Sequence, residues 1–110
     1  MCVGSKLKTA LTATALPVEQ DVYTGTAATY IVFNYWTTPI WNQDDAPTYE
    51  QVNINVHLFA PMTTNLEALI AQIKALLAAA GYAYPETRNL TDDKTGRHIV
   101  FDTAYREAVA

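Results

Sequence analysis

Two adjoining stretches, TYEQVNINVHLFAP at residues 48–61 and TTNLEALIAQIKALLAAAG at residues 63–81, decide the fold of this chain. In the first stretch apolar and polar residues alternate, which is the period of two expected of a strand with one buried face and one wet face. The apolar set is Val52, Ile54, Val56 and Leu58, and the polar set is Gln51, Asn53, Asn55 and His57. The pattern predicts a half-buried antiparallel strand.

The second stretch has the spacing of an amphipathic helix, because apolar residues recur at intervals of three and four. These residues are Leu66, Leu69, Ile70, Ile73, Leu76, Leu77 and Ala80. Thr64 is placed to cap the first turn with Glu67 reaching back, and Gly81 can supply the left-handed residue that ends a helix. We predict a helix between these boundaries that lays its apolar side on a sheet.

Weaker signals place the other elements. Leu7 and Leu11 lie one helical turn apart ahead of Pro17, which favours a short first helix. β-branched and aromatic residues predict the strands, and glycine with polar clusters predicts the turns. The expected elements are a helix at 4–15, strands at 18–23, 29–38, 82–90 and 97–105, and turns at 24–26 and 91–96.

The predicted element order is α-β-β-β-α-β-β, in a single domain covering residues 1–110. Consecutive strands joined by short connections usually pair with one another. We therefore predict an α+β fold with one mostly antiparallel sheet and both helices packed on its apolar face.

Composition excludes several classes of function. The formal net charge is −4, and the seven lysines and arginines are scattered, whereas proteins that grip nucleic acid cluster such residues. Cys2 is the only cysteine, so no disulfide can form within the chain, and a reducing cytoplasm is the expected compartment. Neither a signal peptide nor an apolar run long enough to span a membrane is expected.

The segment PIWNQDDAP, from Pro39 to Pro47, is predicted to be a projecting loop between the second and third strands. An apolar anchor beside acidic residues has the composition of a protein contact, although solvated turn acids explain the same residues. The candidate interface residues are Ile40, Trp41, Asn42, Gln43, Asp44, Asp45 and Glu50.

No catalytic or metal-binding signature is present, so we predict no enzyme activity, no cofactor and no metal site. The four glycines are isolated, and there is no Ser-His-Asp order and no zinc-type spacing. His57 and His98 can meet only if their strands are neighbours in the right register, and a solvated His57 is the favoured interpretation. Asp92 and Asp93 are interpreted as turn residues that bond nearby amides.

Five segments together resemble a known family. They are YIVFNYW at 30–36, DDAPTYE at 44–50, VNINVHLFAP at 52–61, AAAGYAYP at 78–85 and HIVFDTAY at 98–105. In this order they resemble the tail completion proteins of long-tailed bacteriophages and prophages, also called tail terminator or head-tail joining proteins. The resemblance spans about residues 4–106 and rests on structural motifs.

The resemblance implies a non-enzymatic protomer that assembles with itself into a ring of about six copies, a hexamer with head-to-tail contacts. Such a ring would stop growth of the tail tube protein and dock the head-tail connector protein. It would lie in the virion at the head-tail interface, after assembly in the host cytoplasm. DNA would only pass through its channel, and the acidic charge suits that passage because it repels phosphates.

Two alternatives from other classes remain open. A ligand-binding domain or small enzyme needs convergent polar groups in one pocket, for which His57, His98 and the loop acids are the candidates. A protein-binding adaptor unrelated to phage assembly would bind one partner and form no closed ring.

Overall fold

The computed structural model describes residues 3–41, 47–94 and 96–108 of the chain. Two helices and five strands follow one another in the predicted order. Their bounds are α1 Val3–Leu11, β1 Val18–Gln20, β2 Tyr30–Trp41, β3 Pro47–Ala60, α2 Glu67–Ala79, β4 Glu86–Asn89 and β5 Arg97–Ala108, with a 3-10 turn at Thr12–Thr14 after α1. No helix in the described ranges is long and apolar enough to cross a membrane.

The five strands form one sheet in the order β1-β2-β3-β5-β4. Three of the four strand pairs are antiparallel, and β1 runs parallel to β2 with Val18 opposite Ile31. The predicted α+β fold with a mostly antiparallel sheet is therefore confirmed. The first two strands are neighbours in the sheet, and because they run parallel they do not form a hairpin.

Both helices pack on one face of the sheet, which we call the core face, and the opposite face is the outer face. Leu7 and Leu11 of α1 join Ile73 and Leu77 of α2 in a buried cluster with the strands. All four apolar residues predicted to be buried in β3 are at most 1% exposed: Val52, Ile54, Val56 and Leu58. The period of two therefore assigned the core face of β3 correctly.

The end of α2 is as predicted, but its beginning is not. Gly81 has a φ of +96°, and its N–H and that of Tyr82 bond back to Ala78 and Leu77 at 3.1 Å each, as in a Schellman motif. The predicted Thr64 cap is wrong, because the helix begins at Glu67. Its N–H instead bonds to the Asn65 side-chain oxygen at 3.0 Å.

The predicted loop from Pro39 to Pro47 is wrong at both ends, since β2 continues to Trp41 and β3 begins at Pro47. The side to which backbone groups point explains why Pro39 does not stop β2. The N–H of Ile31 bonds to Pro17 on the β1 side, and N–H groups alternate sides along a strand. An N–H at Pro39 would also point away from β3, so the ring removes no bond of the β2–β3 ladder.

Three smaller boundaries also differ. β1 ends at Gln20 because Asp21 has a φ of +66° and turns the chain. β4 covers only Glu86–Asn89, after Pro85, while β5 runs past Tyr105 to Ala108. The turn interpretation of Asp92 is confirmed, because its side chain accepts the Lys94 N–H at 2.8 Å.

Alanine at Gly96 should destabilise the protein more than alanine at Gly81. Both glycines have positive φ, which costs an alanine about 1–2 kcal/mol. A Cβ at Gly96 would also lie 2.7 Å from the Ala60 carbonyl oxygen, whereas one at Gly81 meets nothing within 4 Å. The overpacking adds about 1–3 kcal/mol to the loss for Gly96→Ala. Urea unfolding of the two variants checks this, and equal losses would contradict the close approach at Gly96.

Candidate assembly surface

Three strands extend past the helices at one end of the sheet. We call this end the arm: residues 36–41 of β2, 47–53 of β3 and 104–108 of β5, which pair with one another. At the base of the arm, Val52 and Tyr105 still pack in the core cluster. Thr37 and Pro39 are exposed there although they belong to the core face. The arm contributes to the elongated shape of the chain, whose principal extents are 53 × 25 × 25 Å.

The candidate interface residues fall on the arm and on the connection at its tip. Ile40 is half-buried opposite Tyr49, and the β2–β3 register shifts between Ile40 and Trp41. Glu50 is half-buried in β3, opposite Pro39. The connection with Asn42, Gln43, Asp44 and Asp45 lies outside the described residues, as does the side chain of Trp41.

Two exposed aromatic residues of the arm were missed by the sequence analysis. Trp36 is 51% exposed and Tyr49 is 44% exposed. Both belong to the outer face, because side chains an odd number of residues apart on a strand point to opposite faces. Trp36 is separated in this way from Phe33 and Tyr35 of the core face, and Tyr49 from Val52. The same period of two that placed Val52 in the core could have placed Trp36 on the outer face.

A row of uncharged polar side chains joins the strands of the arm on the outer face. The Gln51 amide donates to the Asn53 side-chain oxygen at 2.8 Å. The Asn53 amide in turn donates to the Thr38 hydroxyl at 3.0 Å, across the β2–β3 pair. These bonds satisfy the three side chains of the row, and the exposed Arg106 lies opposite Gln51 on the same face.

The two histidines meet on the outer face, so the interpretation of His57 as a simple solvated residue is wrong. His57 Nδ1 and His98 Nε2 are 2.9 Å apart, across neighbouring strands. His98 also stacks on Phe59, with ring centroids 4.3 Å apart, and Phe59 stacks on Tyr30 at 5.1 Å. A row of aromatic rings therefore crosses the outer face at the end of the sheet away from the arm.

The surroundings of the histidine pair favour its neutral form. Burial, the neighbouring His98 and the Arg88 charge lower the pKa of His57, and Asp102 opposes them in part. Burial and Arg88 likewise lower the pKa of His98. Two buried valines, Val32 and Val100, lie opposite His57 on either side, so apolar side chains flank its ring. In the neutral pair one ring donates its N–H to the other ring.

The described residues bring no larger set of reactive groups together. They contain no group of three or more His, Cys, Asp or Glu side chains that could hold a metal ion. A groove of about 390 Å³ lies between α2 and Tyr84, lined by residues that include Ile70 and Lys74. It is on the helix side of the sheet, so the histidine pair on the outer face does not contribute to it.

Stability should fall as the pH drops below about 6.5, the ordinary histidine pKa of the unfolded chain. Both histidines have lowered pKa values in the folded protein, so the unfolded chain binds protons first. The lost stability accumulates between pH 6.5 and the lowered pKa values. Urea unfolding at pH 7.5 and 5.5 should show a larger loss for the wild type than for His57→Gln/His98→Gln. An equal loss in both proteins would contradict the burial of the pair.

Comparison with known proteins shows a shared fold and no family. No protein-family model matches the chain, and no curated protein matches it. One solved structure, which carries no functional name, is similar with a TM-score of 0.58 over 96% of this chain and 89% of that one. Only 17% of the residues are identical, so this similarity shows the fold alone.

Proposed function

We propose that this chain is a structural protein of phage tail assembly, which caps the tail tube and joins it to the head connector as a ring of identical copies. The observation that carries the proposal is the arm, which extends beyond the helix-covered core and presents Trp36 and Tyr49 to solvent. Many functions share α+β folds, so the fold adds little weight by itself.

The chemistry of the arm fits a protein contact. Aromatic residues are enriched at interface centres, where charged residues are depleted. The exposed Trp36 lies beside the uncharged Thr38, Gln51 and Asn53, and these four side chains can be covered by a partner without burying an ion. The exposed Arg106, opposite Gln51 on the same face, marks the charged border of this surface. A ring of copies in contact through their arms would use this surface in every protomer.

The distribution of charge fits the second requirement of the proposal, the passage of DNA. The chain has a net charge of −4, and two acids, Asp44 and Asp45, lie in the connection between the two long strands of the arm. Glu50 adds a third acid on β3. Acids that face a channel repel phosphate groups, so a genome can slide past without being held.

The groove beside α2 supports a second candidate, a small ligand-binding or adaptor domain. Its volume of about 390 Å³ lies in the range of small-molecule sites. Ile70 and Tyr84 offer apolar contact there, and Glu67 and Lys74 offer opposite charges. This candidate requires a ligand on the helix side and makes no use of the arm.

The solution mass of the purified protein, measured with and without a tail tube protein, tests the proposal. We expect closed rings at high concentration, or a protomer that binds tube ends and halts tube growth in electron micrographs. A monomer that leaves tube growth unchanged would contradict the proposal and favour the ligand-binding candidate.

Trp36→Ala should weaken the ring much more than it weakens the monomer fold. Truncation of a central aromatic anchor typically costs about 2 kcal/mol or more of binding, roughly a thirtyfold weaker contact. Trp36 is half exposed in the protomer, so the substitution should change the unfolding free energy of the protomer little. Sedimentation over a concentration series measures the association, and urea unfolding measures the fold.

Two further variants make this comparison specific. Tyr84→Ala removes an aromatic residue that is 70% exposed on the helix side, and it should leave association unchanged. Trp41→Ala tests the predicted anchor at the arm tip in the same assay. If Trp36→Ala and Tyr84→Ala associate equally well, the arm is not the contact surface.

A further inference from the structure

The two histidines of the outer face hold their ring nitrogens at the spacing of a metal-binding pair. Nδ1 of His57 and Nε2 of His98 face each other at 2.9 Å, and the ring centroids are 5.1 Å apart. Two imidazoles bound to one ion through bonds of about 2.0–2.1 Å have nitrogens about 2.9–3.3 Å apart and ring centres about 4.5–5.2 Å apart, for ligand angles between a right angle and a tetrahedral one. Both observed distances lie within these ranges. A turn of the rings about their side-chain bonds would therefore point both lone pairs at one ion.

The fold holds this pair in position before any ion binds. In the β3–β5 ladder His57 lies opposite Val100. His98 lies two residues earlier on β5, opposite Phe59, so the register keeps the two histidines at diagonal positions of one face. Phe59 also stacks on the His98 ring, with centroids 4.3 Å apart. Ligands that are already in position lose little conformational freedom when an ion binds, and this strengthens binding.

Both rings can act as ligands at neutral pH. An ordinary histidine is already mostly neutral at pH 7.5, and only the neutral ring binds a metal ion. Burial lowers the pKa of both residues further. In the free pair, one of the two facing nitrogens carries the proton of the hydrogen bond. When an ion binds, that proton moves to the other nitrogen of the same ring, Nε2 of His57 or Nδ1 of His98, and no proton is released.

Water would complete the coordination of such an ion. Among the described residues, no group of three His, Cys, Asp or Glu side chains is close enough to hold a metal. Asp102 influences the charge of His57, but its two oxygens accept bonds from the Arg88 guanidinium at 2.7 and 3.2 Å. Both histidines are only half-buried, so water can reach the site. Imidazole and water together suit Ni²⁺, Cu²⁺ and Zn²⁺, whereas Mg²⁺ and Ca²⁺ prefer oxygen ligands.

We propose that His57 and His98 form a binding site for a divalent transition-metal ion, which His57 binds through Nδ1 and His98 through Nε2. The ion joins β3 to β5 on the outer face, at the end of the sheet away from the arm. The site uses neither the arm nor a tail tube, so it goes beyond the proposed function and does not depend on it. It departs from the sequence-based expectation of no metal site, because the register that brings the histidines together is a property of the sheet.

Metal titration of the purified protein tests the site. In a Cys2→Ser background, which removes the only thiol, calorimetry at pH 7.5 should show one Ni²⁺ or Zn²⁺ bound per chain and no binding of Mg²⁺. His57→Gln and His98→Gln should each weaken binding by about tenfold or more, because a second ligand held in place raises the effective ligand concentration around the ion. Equal affinity of the Cys2→Ser parent and either variant would overturn the proposal.

Nitrogen-15 NMR tests the same site with both histidines in place, so it does not rely on the folding of the variants. With Zn²⁺ bound, the chemical shifts should identify His57 Nδ1 and His98 Nε2 as the metal-bound nitrogens, with a proton on the other nitrogen of each ring. Binding through the opposite nitrogen of either ring, or through one ring only, would show adventitious binding and overturn the proposal.

The charge of Arg88 provides a test of where the ion lies. This charge lowers the pKa of both histidines, and the same charge repels a cation held between them. Arg88→Gln should therefore tighten metal binding by about twofold or more at low salt. Arg106→Gln is the matched control, because Arg106 lies opposite Gln51, six residues and roughly 20 Å along β3 from His57. An equal effect of the two substitutions would place the ion away from the histidine pair.

Discussion

The placement of β3 between β2 and β5 is the constraint on which the rest of the structure depends. Twelve residue pairs join it to β2 and twelve join it to β5, so β3 is paired on both sides along nearly its whole length. Its alternation then fixes both faces of the sheet. Val56 lies under the helices, while His57 and Asn53 are held on the outer face. A slip of one residue would exchange these sets and place amides in the core.

The sequence predicted what depends on local periodicity and missed what depends on neighbours. The core face of β3 and the left-handed Gly81 follow from residues close together in the chain. The cap of α2 was missed because Asn65, one residue after Thr64, competes for the same orphan N–H group. From the sequence, Pro39 predicts the end of a strand. At a sheet edge, however, a proline removes no hydrogen bond of the ladder, and only the arrangement of the sheet shows that Pro39 lies at an edge.

The histidine pair shows the same limit in the candidate site. The strand faces of His57 and His98 were available from alternation, but their contact requires that β3 and β5 be neighbours with Phe59 opposite His98. Forty-one positions separate the two residues, and no local sequence pattern predicts the register between their strands. Trp36 differs, because its place on the outer face was readable from the strand pattern. The sequence analysis instead placed the candidate contact in the long loop with Trp41.

A single sheet with helices on one side must leave its other face to be stabilised by its own side chains. This chain does so in two ways. Aromatic rings and the histidine pair cross the outer face at the end of the sheet away from the arm, where Val100 is fully buried. Amides and a hydroxyl, from Gln51 through Asn53 to Thr38, cover the arm. Amides cost much less to desolvate than ions, so this row of side chains is stable in water and can also be covered by protein at small electrostatic cost.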